Sequence, residues 1–290
     1  MELLVLQVIN GLILGMFYAL MALGLSLILS LTRVINLAHG GFLVLGAYLA
    51  LTISSVVGFW GALVLGPVLL AIIGFVAERF IIRPLYTRDP LDSLLLTFGL
   101  ALVIEQLVRM IWGSIGLPFR IPDVLASSLF PGTSFFFITK YRAFIIVVAL
   151  TAGLLLYLFL SRTRLGLYIR AAVQDRETLS ALGTNVGRLY SLSFALGVFM
   201  AGLAGVLAAG QLGLNPTMGN TLLLPSFIAL IIGGLGSLIG SFLGGLFIGV
   251  VTAIAGQYFP EISQFAAFLV LAVMLLIRPR GLFGQEGFLE

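Results

Sequence analysis

The 290-residue sequence has no cysteine, a single histidine and only 9% charged residues. Without cysteine, disulfides and thiolate metal sites are excluded. The lone His39 has no carboxylate near it in sequence, which makes a poor metal site. Nothing in the chain identifies a nucleophile that it could activate, so no catalytic residue is assigned. An ordinary soluble domain is about 25% charged and about 45–50% apolar. Here 61% of residues are hydrophobic and the mean hydropathy is +1.21. A soluble globule has to cover itself with polar groups, so most of this chain has lipid as its solvent. The net charge of +4 and the pI near 9.7 do not indicate nucleic acid, because no basic patch with interleaved aromatics is present.

What is abundant is uninterrupted apolar sequence. No charge lies between Glu2 and Arg33, between Arg142 and Arg162, or between Arg188 and Glu261. A spanning helix takes about 20 mostly apolar residues. The first run reads as a span and not only a cleaved leader, since Glu2 stands where a basic segment is expected. Apolar runs place spans near 3–30, 41–57, 60–78, 94–112, 143–160, 191–213, 222–256 and 261–277. The seventh would make about 52 Å of helix against roughly 30 Å of hydrocarbon. Its middle, "GGLGSLIGSFLGG", holds six glycines in thirteen residues. It therefore reads as two shorter helices joined by a glycine break, with Pro225 in a first turn. The expected fold is an all-α polytopic transmembrane bundle of eight or nine spans, some broken or re-entrant, forming one domain over 1–290.

Arginines set the orientation. Arg79, Arg83 and Arg88 follow the third run, Arg162, Arg164, Arg170, Arg176 and Arg188 punctuate 161–188, and Arg278 and Arg280 open the tail 278–290. Basic residues favour cytoplasmic loops, which puts all three segments inside. The loop 113–141, with two prolines around Arg120 and the apolar "SFFFI", then lies outside. Arg33 falls inside and the N-terminus outside, if 222–256 crosses twice or re-enters. A weak echo links "GLILGMFYALMALGLSL" with "LSFALGVFMAGLAGVLAAG", each followed by an asparagine and a broken apolar segment. Either an internal repeat or small residues at helix contacts would produce it.

Three groups of residues could carry function. In the cytoplasmic loop of about 161–190, "AAVQDRETLSALGTN" reads as one short helix, with Asp175 and Glu177 early, Leu179 and Leu182 on one side and Gly183 ending it. It is either a surface helix resting on the bundle or a docking helix, and its mixed charges suit a protein groove better than an anionic lipid surface. Glu105 and Arg109 stand one turn apart inside a span, as a neutralised pair or as path-lining groups. Arg33, Asn36 and His39 lie in a simple loop or at a broken helix whose exposed backbone groups bind polar solutes.

"NGLILGMFYALMALGLSLILSLTRVINLAHGGFLVLGAY", "GLYIRAAVQDRETLSALGTNVGRLYSLSFALGVFMAGLAGVLAA" and "NPTMGNTLLLPSFIALIIGGLGSLIGSFLGGLFIG" resemble the first permease subunit of bacterial branched-chain amino acid ABC importers. The similarity runs nearly end to end, through "ERFIIRPLYTRDPLDSLLLTFGL" and "RPRGLFG". It implies a bacterial inner-membrane subunit paired with a second, homologous permease. Two cytosolic ATPase subunits would bind ATP and magnesium, and a periplasmic or lipid-anchored binding protein would deliver the solute. No cofactor is expected in this chain itself, which has no G-x-x-x-x-G-K-[ST] loop. The coupling helix to the ATPase would be carried by Gln174, Asp175, Arg176, Glu177, Leu179, Leu182 and Gly183. Path or gate candidates are Arg33, Asn36, His39, Asn215, Gly233, Gly234 and Gly236. The chain departs from the family at Gly41, where a carboxylate is common, at Pro225, where a lysine is frequent, and at Gly187, where an aspartate is. Related systems carry urea, amides or aromatic acids. An ion-coupled carrier using Glu105 or His39 as a proton relay is a separate possibility, and an intramembrane enzyme is disfavoured.

Overall fold

A computed structural model describes residues 2–86, 88–129 and 138–284. The "SFFF" of the outer loop (134–137) and the tail from 285 onward lie outside the described residues. The protein is an all-α membrane bundle. Its helices are α1 (Glu2–Thr32), α2 (His39–Ala77), α3 (Pro90–Trp112), α4 (Asp123–Ala126), α5 (Lys140–Arg162), α6 (Arg164–Gln174), α7 (Arg176–Ala181), α8 (Val186–Leu212), α9 (Met218–Gly233), α10 (Leu238–Tyr258) and α11 (Ser263–Ile277). A π-turn (Glu78–Ile82) and a 3-10 turn (Arg83–Leu85) extend α2. No strand forms among the described residues, only isolated bridges pairing Leu117 with Leu214 and Ser128 with Thr139.

At 39 residues α2 is too long for one crossing, and it reverses at Gly58 (φ 75°, ψ 178°). The reversal lays Gly66 of its second arm on Ala50 of its first, where an added Cβ would come within 3.1 Å of the alanine Cβ. The spans expected at 41–57 and 60–78 are the two arms of this hairpin. Six stretches among the described residues are long and apolar enough to cross a membrane; the reversal makes one of them two, and α9 and α11 are shorter apolar helices, which makes nine segments.

α1 and α8 form the buried centre. In lipid no hydrophobic force draws helices together, so close contact depends on small residues. Gly11 and Gly15 of α1 meet the backbone of α10 around Gly249 and Leu246, and Gly46 of α2 lies on Gly202 of α8. α3, α5 and α11 carry large apolar side chains outward. At one end Asn10 accepts from Arg142 and Gln7 donates to Gln257; Ser30 lies at the other, near Arg170 of α6. α1 therefore runs toward the arginine-rich side, as the arginine count predicts.

Two local expectations are corrected. The segment around Gln174–Gly183 is not one helix, because Asp175 (φ −150°, ψ 97°) ends α6 and caps α7. Its carboxylate accepts from the Glu177 and Thr178 amides and the Thr178 hydroxyl, which favours starting a new helix over continuing the old one. Pro225 is not in a first turn, since α9 begins at Met218. Asn215 builds the turn that starts it, its Oδ1 accepting from the Thr217 amide and hydroxyl.

Candidate functional site

Two crossings of the bundle are interrupted by extended backbone, and the interruptions share one design. After α1, Arg33 turns the chain with φ 56°, and residues 33–38 re-enter the bundle. The Ile35 carbonyl accepts from Thr97 Oγ1 of α3, and the Leu37 amide donates to the same oxygen. Asn36 Oδ1 accepts from the Ala38 amide at 3.1 Å and its carbonyl from the His39 amide at 3.3 Å, and α2 starts. After α8, Asn215 Oδ1 accepts from the Thr217 amide at 3.0 Å and its carbonyl from the Met218 amide at 3.0 Å, and α9 starts.

The two helix starts touch. A Cβ on Gly40 would lie 2.8 Å from the Gly219 carbonyl oxygen, and a Cβ on Gly219 would strike the carbonyl of Gly40. α1 and α8 run in opposite directions through the membrane, so the halves are related as an inverted pair. This is how transporters build broken helices near mid-membrane, and it gives the sequence echo a structural basis. Two positive helix ends converge there.

His39 is fully buried in the first tip. Its ring lies against Gly24, whose added Cβ would be 2.9 Å from Cε1 and Nε2. The ring nitrogens make no well-formed hydrogen bond. Asn36 is buried beside it, whereas Arg33 and Asn215 are exposed.

On the flank of the tips, Arg109 donates to Glu105 at 2.7 Å and Asn220 of α9 donates to the other carboxylate oxygen at 3.1 Å. A small cavity of about 10 Å³ lies between Gly40, Gly41, Glu105, Pro216, Gly219 and Asn220. Gly41, the position lacking a carboxylate, therefore shares its space with one from Glu105.

The glycine break is not joined to the tips. Gly233 packs on Gly240 and Gly234 on Gly284, while the Leu282 and Phe283 amides donate to the Ile232 and Gly233 carbonyls. The chain's own segment 281–284 thus covers the end of α9. Gly236 does line an open cavity of about 490 Å³ at the arginine-rich end, together with Ser26, Ser30, Arg170, Gln174 and Ser237. In α7, Leu179 is buried, but Leu182 is 77% exposed, off the side expected to pair with it. Gly183 ends the turn with φ 84°. Asp175, Arg176 and Glu177 are exposed.

Sequence reasoning missed a buried polar knot. Glu78, with no exposed surface, pairs with Arg83 at 2.9 Å. Ser191 of α8 donates to Glu78, and Arg83 donates to the Gly187 carbonyl at 2.6 Å. The π-turn creates this i,i+5 meeting, and no helical period would have revealed it. At Gly187 an added Cβ would lie 3.1 Å from Arg83 Nη1. Asn220 was missed as well, since nothing in "TMGN" marks it.

Inverted halves, paired re-entrant tips and spans on every side define a multi-pass membrane transport protein. The family described as the permease component of the branched-chain amino acid transport system matches residues 7–278, and the chain belongs to it. A member of that family is a transport component and not an enzyme. The chain is 31% identical to the high-affinity branched-chain amino acid transport system permease protein LivH of Salmonella typhimurium, covering 96% of this chain and 95% of that one. It is 31% identical, with the same coverage, to BraD of Pseudomonas aeruginosa, which bears the same description. To the permease protein LivM of Escherichia coli it is 27% identical over 93% of this chain and 68% of that one.

Proposed function

We propose that this chain is one of two homologous permeases of an ATP-driven importer in the bacterial inner membrane, carrying branched-chain amino acids. Its likeness to both LivH and LivM supports a pair of related permeases around one path. The observation that carries the reading is the shelf formed by α6 and α7. This shelf stands on the arginine-rich side with Leu182, Arg176 and Glu177 exposed. A short helix with an exposed leucine at its end suits a groove on a cytosolic ATPase, which would bind ATP and magnesium. A solute-binding protein would dock at the opposite end, and the re-entrant tips would gate the path between.

The test uses the complete transporter in proteoliposomes, with ATP inside and solute-loaded binding protein outside. Labelled leucine should accumulate only when both are present. Leu182→Asp should uncouple ATP hydrolysis from uptake or detach the ATPase on co-purification. Accumulation by this chain alone down a proton gradient would sink the proposal.

A further inference from the structure

Glu105 and Arg109 belong to a span and yet keep 19% and 30% of their side-chain surface exposed. Glu105 lies seven residues before the end of α3 at Trp112, roughly 10 Å below it. Charged groups at such depth are costly against lipid and usually face protein or a water-filled cavity. This face of α3 therefore turns toward a path and not toward hydrocarbon.

The surroundings are polar on several elements. Asn220 reaches across from α9, and the starts of α2 and α9 bring two positive helix ends to the same place. Tyr48, whose buried hydroxyl has no hydrogen-bond partner, packs its ring 5.5 Å from that of Trp112, three residues after Arg109. A pair that merely neutralised itself would not need Asn220 on its second carboxylate oxygen.

We propose that Glu105, Arg109 and Asn220 form a binding site for the zwitterionic head of an α-amino acid in the outer half of the path. The solute ammonium takes the place of Arg109 at Glu105, and the solute carboxylate takes the place of Glu105 at Arg109. Asn220 holds the Glu105 carboxylate in place during the exchange. Empty, the pair closes on itself; occupied, it opens around a head group whose charges are themselves adjacent. Apolar side chains of the solute need no further polar contact. This site rests on the amino-acid transport reading above.

The experiment compares leucine uptake by the complete reconstituted transporter carrying E105Q, the swap E105R/R109E, or Asn220→Ala. Loss of a charged hydrogen bond predicts at least ~tenfold slower uptake for E105Q, with all subunits still co-purifying. The swap restores a structural pair but reverses the site, so it too should lose uptake. Asn220→Ala, which leaves the pair intact, should raise KM for leucine with kcat nearly unchanged, and it decides the matter if a charge variant does not assemble. Wild-type-like uptake by the swap, or an unaltered KM for Asn220→Ala, overturns the site while leaving the transport reading standing. A wild-type transporter that moves no amino acid overturns both.

Discussion

Gly24 of α1 and Gly197 of α8 face each other at the crossing of the two central helices: a Cβ on Gly24 would lie 2.5 Å from the Gly197 carbonyl oxygen, and a Cβ on Gly197 2.7 Å from that of Gly24. The contact is reciprocal, as expected where two inverted halves meet. It also sets the pocket that holds His39. One methyl group here would wedge apart the centre of the bundle.

Gly197→Ala should therefore lower stability by about 1–3 kcal/mol, the usual cost of overpacking. Gly24→Ala should cost a similar amount, because each added methyl strikes the facing backbone and one side chain, His39 at Gly24 and Ile28 at Gly197. Thermal unfolding in detergent measures both, against Gly99→Ala, which meets open space.

The Glu78–Arg83 knot predicts an asymmetry. Arg83→Met leaves a carboxylate with no exposed surface facing Ser191 without its cation, and loss of one partner of a buried pair costs about 3 kcal/mol or more. Glu78→Gln keeps the shape and removes the charge that needs pairing, so it should cost less. Equal losses in unfolding midpoint would contradict this account.

Asp175 predicts a pH dependence confined to the shelf. Its hydrogen bonds to the Thr178 hydroxyl and amide, and to the Glu177 amide, hold the carboxyl below its ordinary value of 3.8. A depressed folded pKa adds stability that is full above the unfolded value and disappears as pH falls through the folded one. Amide protection in 176–181 should stay level from neutral pH down to the ordinary carboxylate range and then fall. Asp175→Asn should flatten that fall. Hydrogen exchange followed against pH checks it.

Gly41 and Glu105 predict a coupled pair. A Cβ on Gly41 would make ordinary contact at 3.4 Å with Ala101 and Ile104 of α3, so the backbone tolerates a side chain. Gly41→Glu, however, puts a second carboxylate into the cavity that Glu105 lines. Adding E105Q should recover part of the lost stability, with a coupling of about 0.5–3 kcal/mol. Additive effects would show that the two positions do not share that space.

Much of the architecture was legible because lipid is a demanding solvent: backbone groups in it have to be satisfied within helices. Runs free of charge mark the spans, "GGLGSLIGSFLGG" marks the break between α9 and α10, and arginines mark one side. Asn36 and His39 were legible as a polar interruption, and Asn215 as its counterpart. The direction of each was not. Nor was the split at Asp175, because a favourable helical composition continues on both sides of it.

What the sequence determined by itself is the class of molecule, the positions of its crossings and which segments share the arginine-rich end, since these follow from local composition. Only the tertiary structure decided that Gly40 meets Gly219, that Glu105 finds Asn220, and that Glu78 closes on Arg83 and Ser191. Most of these pairings join residues far apart in the chain. They depend on how closely glycine lets two backbones approach, a distance that no local pattern of residues records.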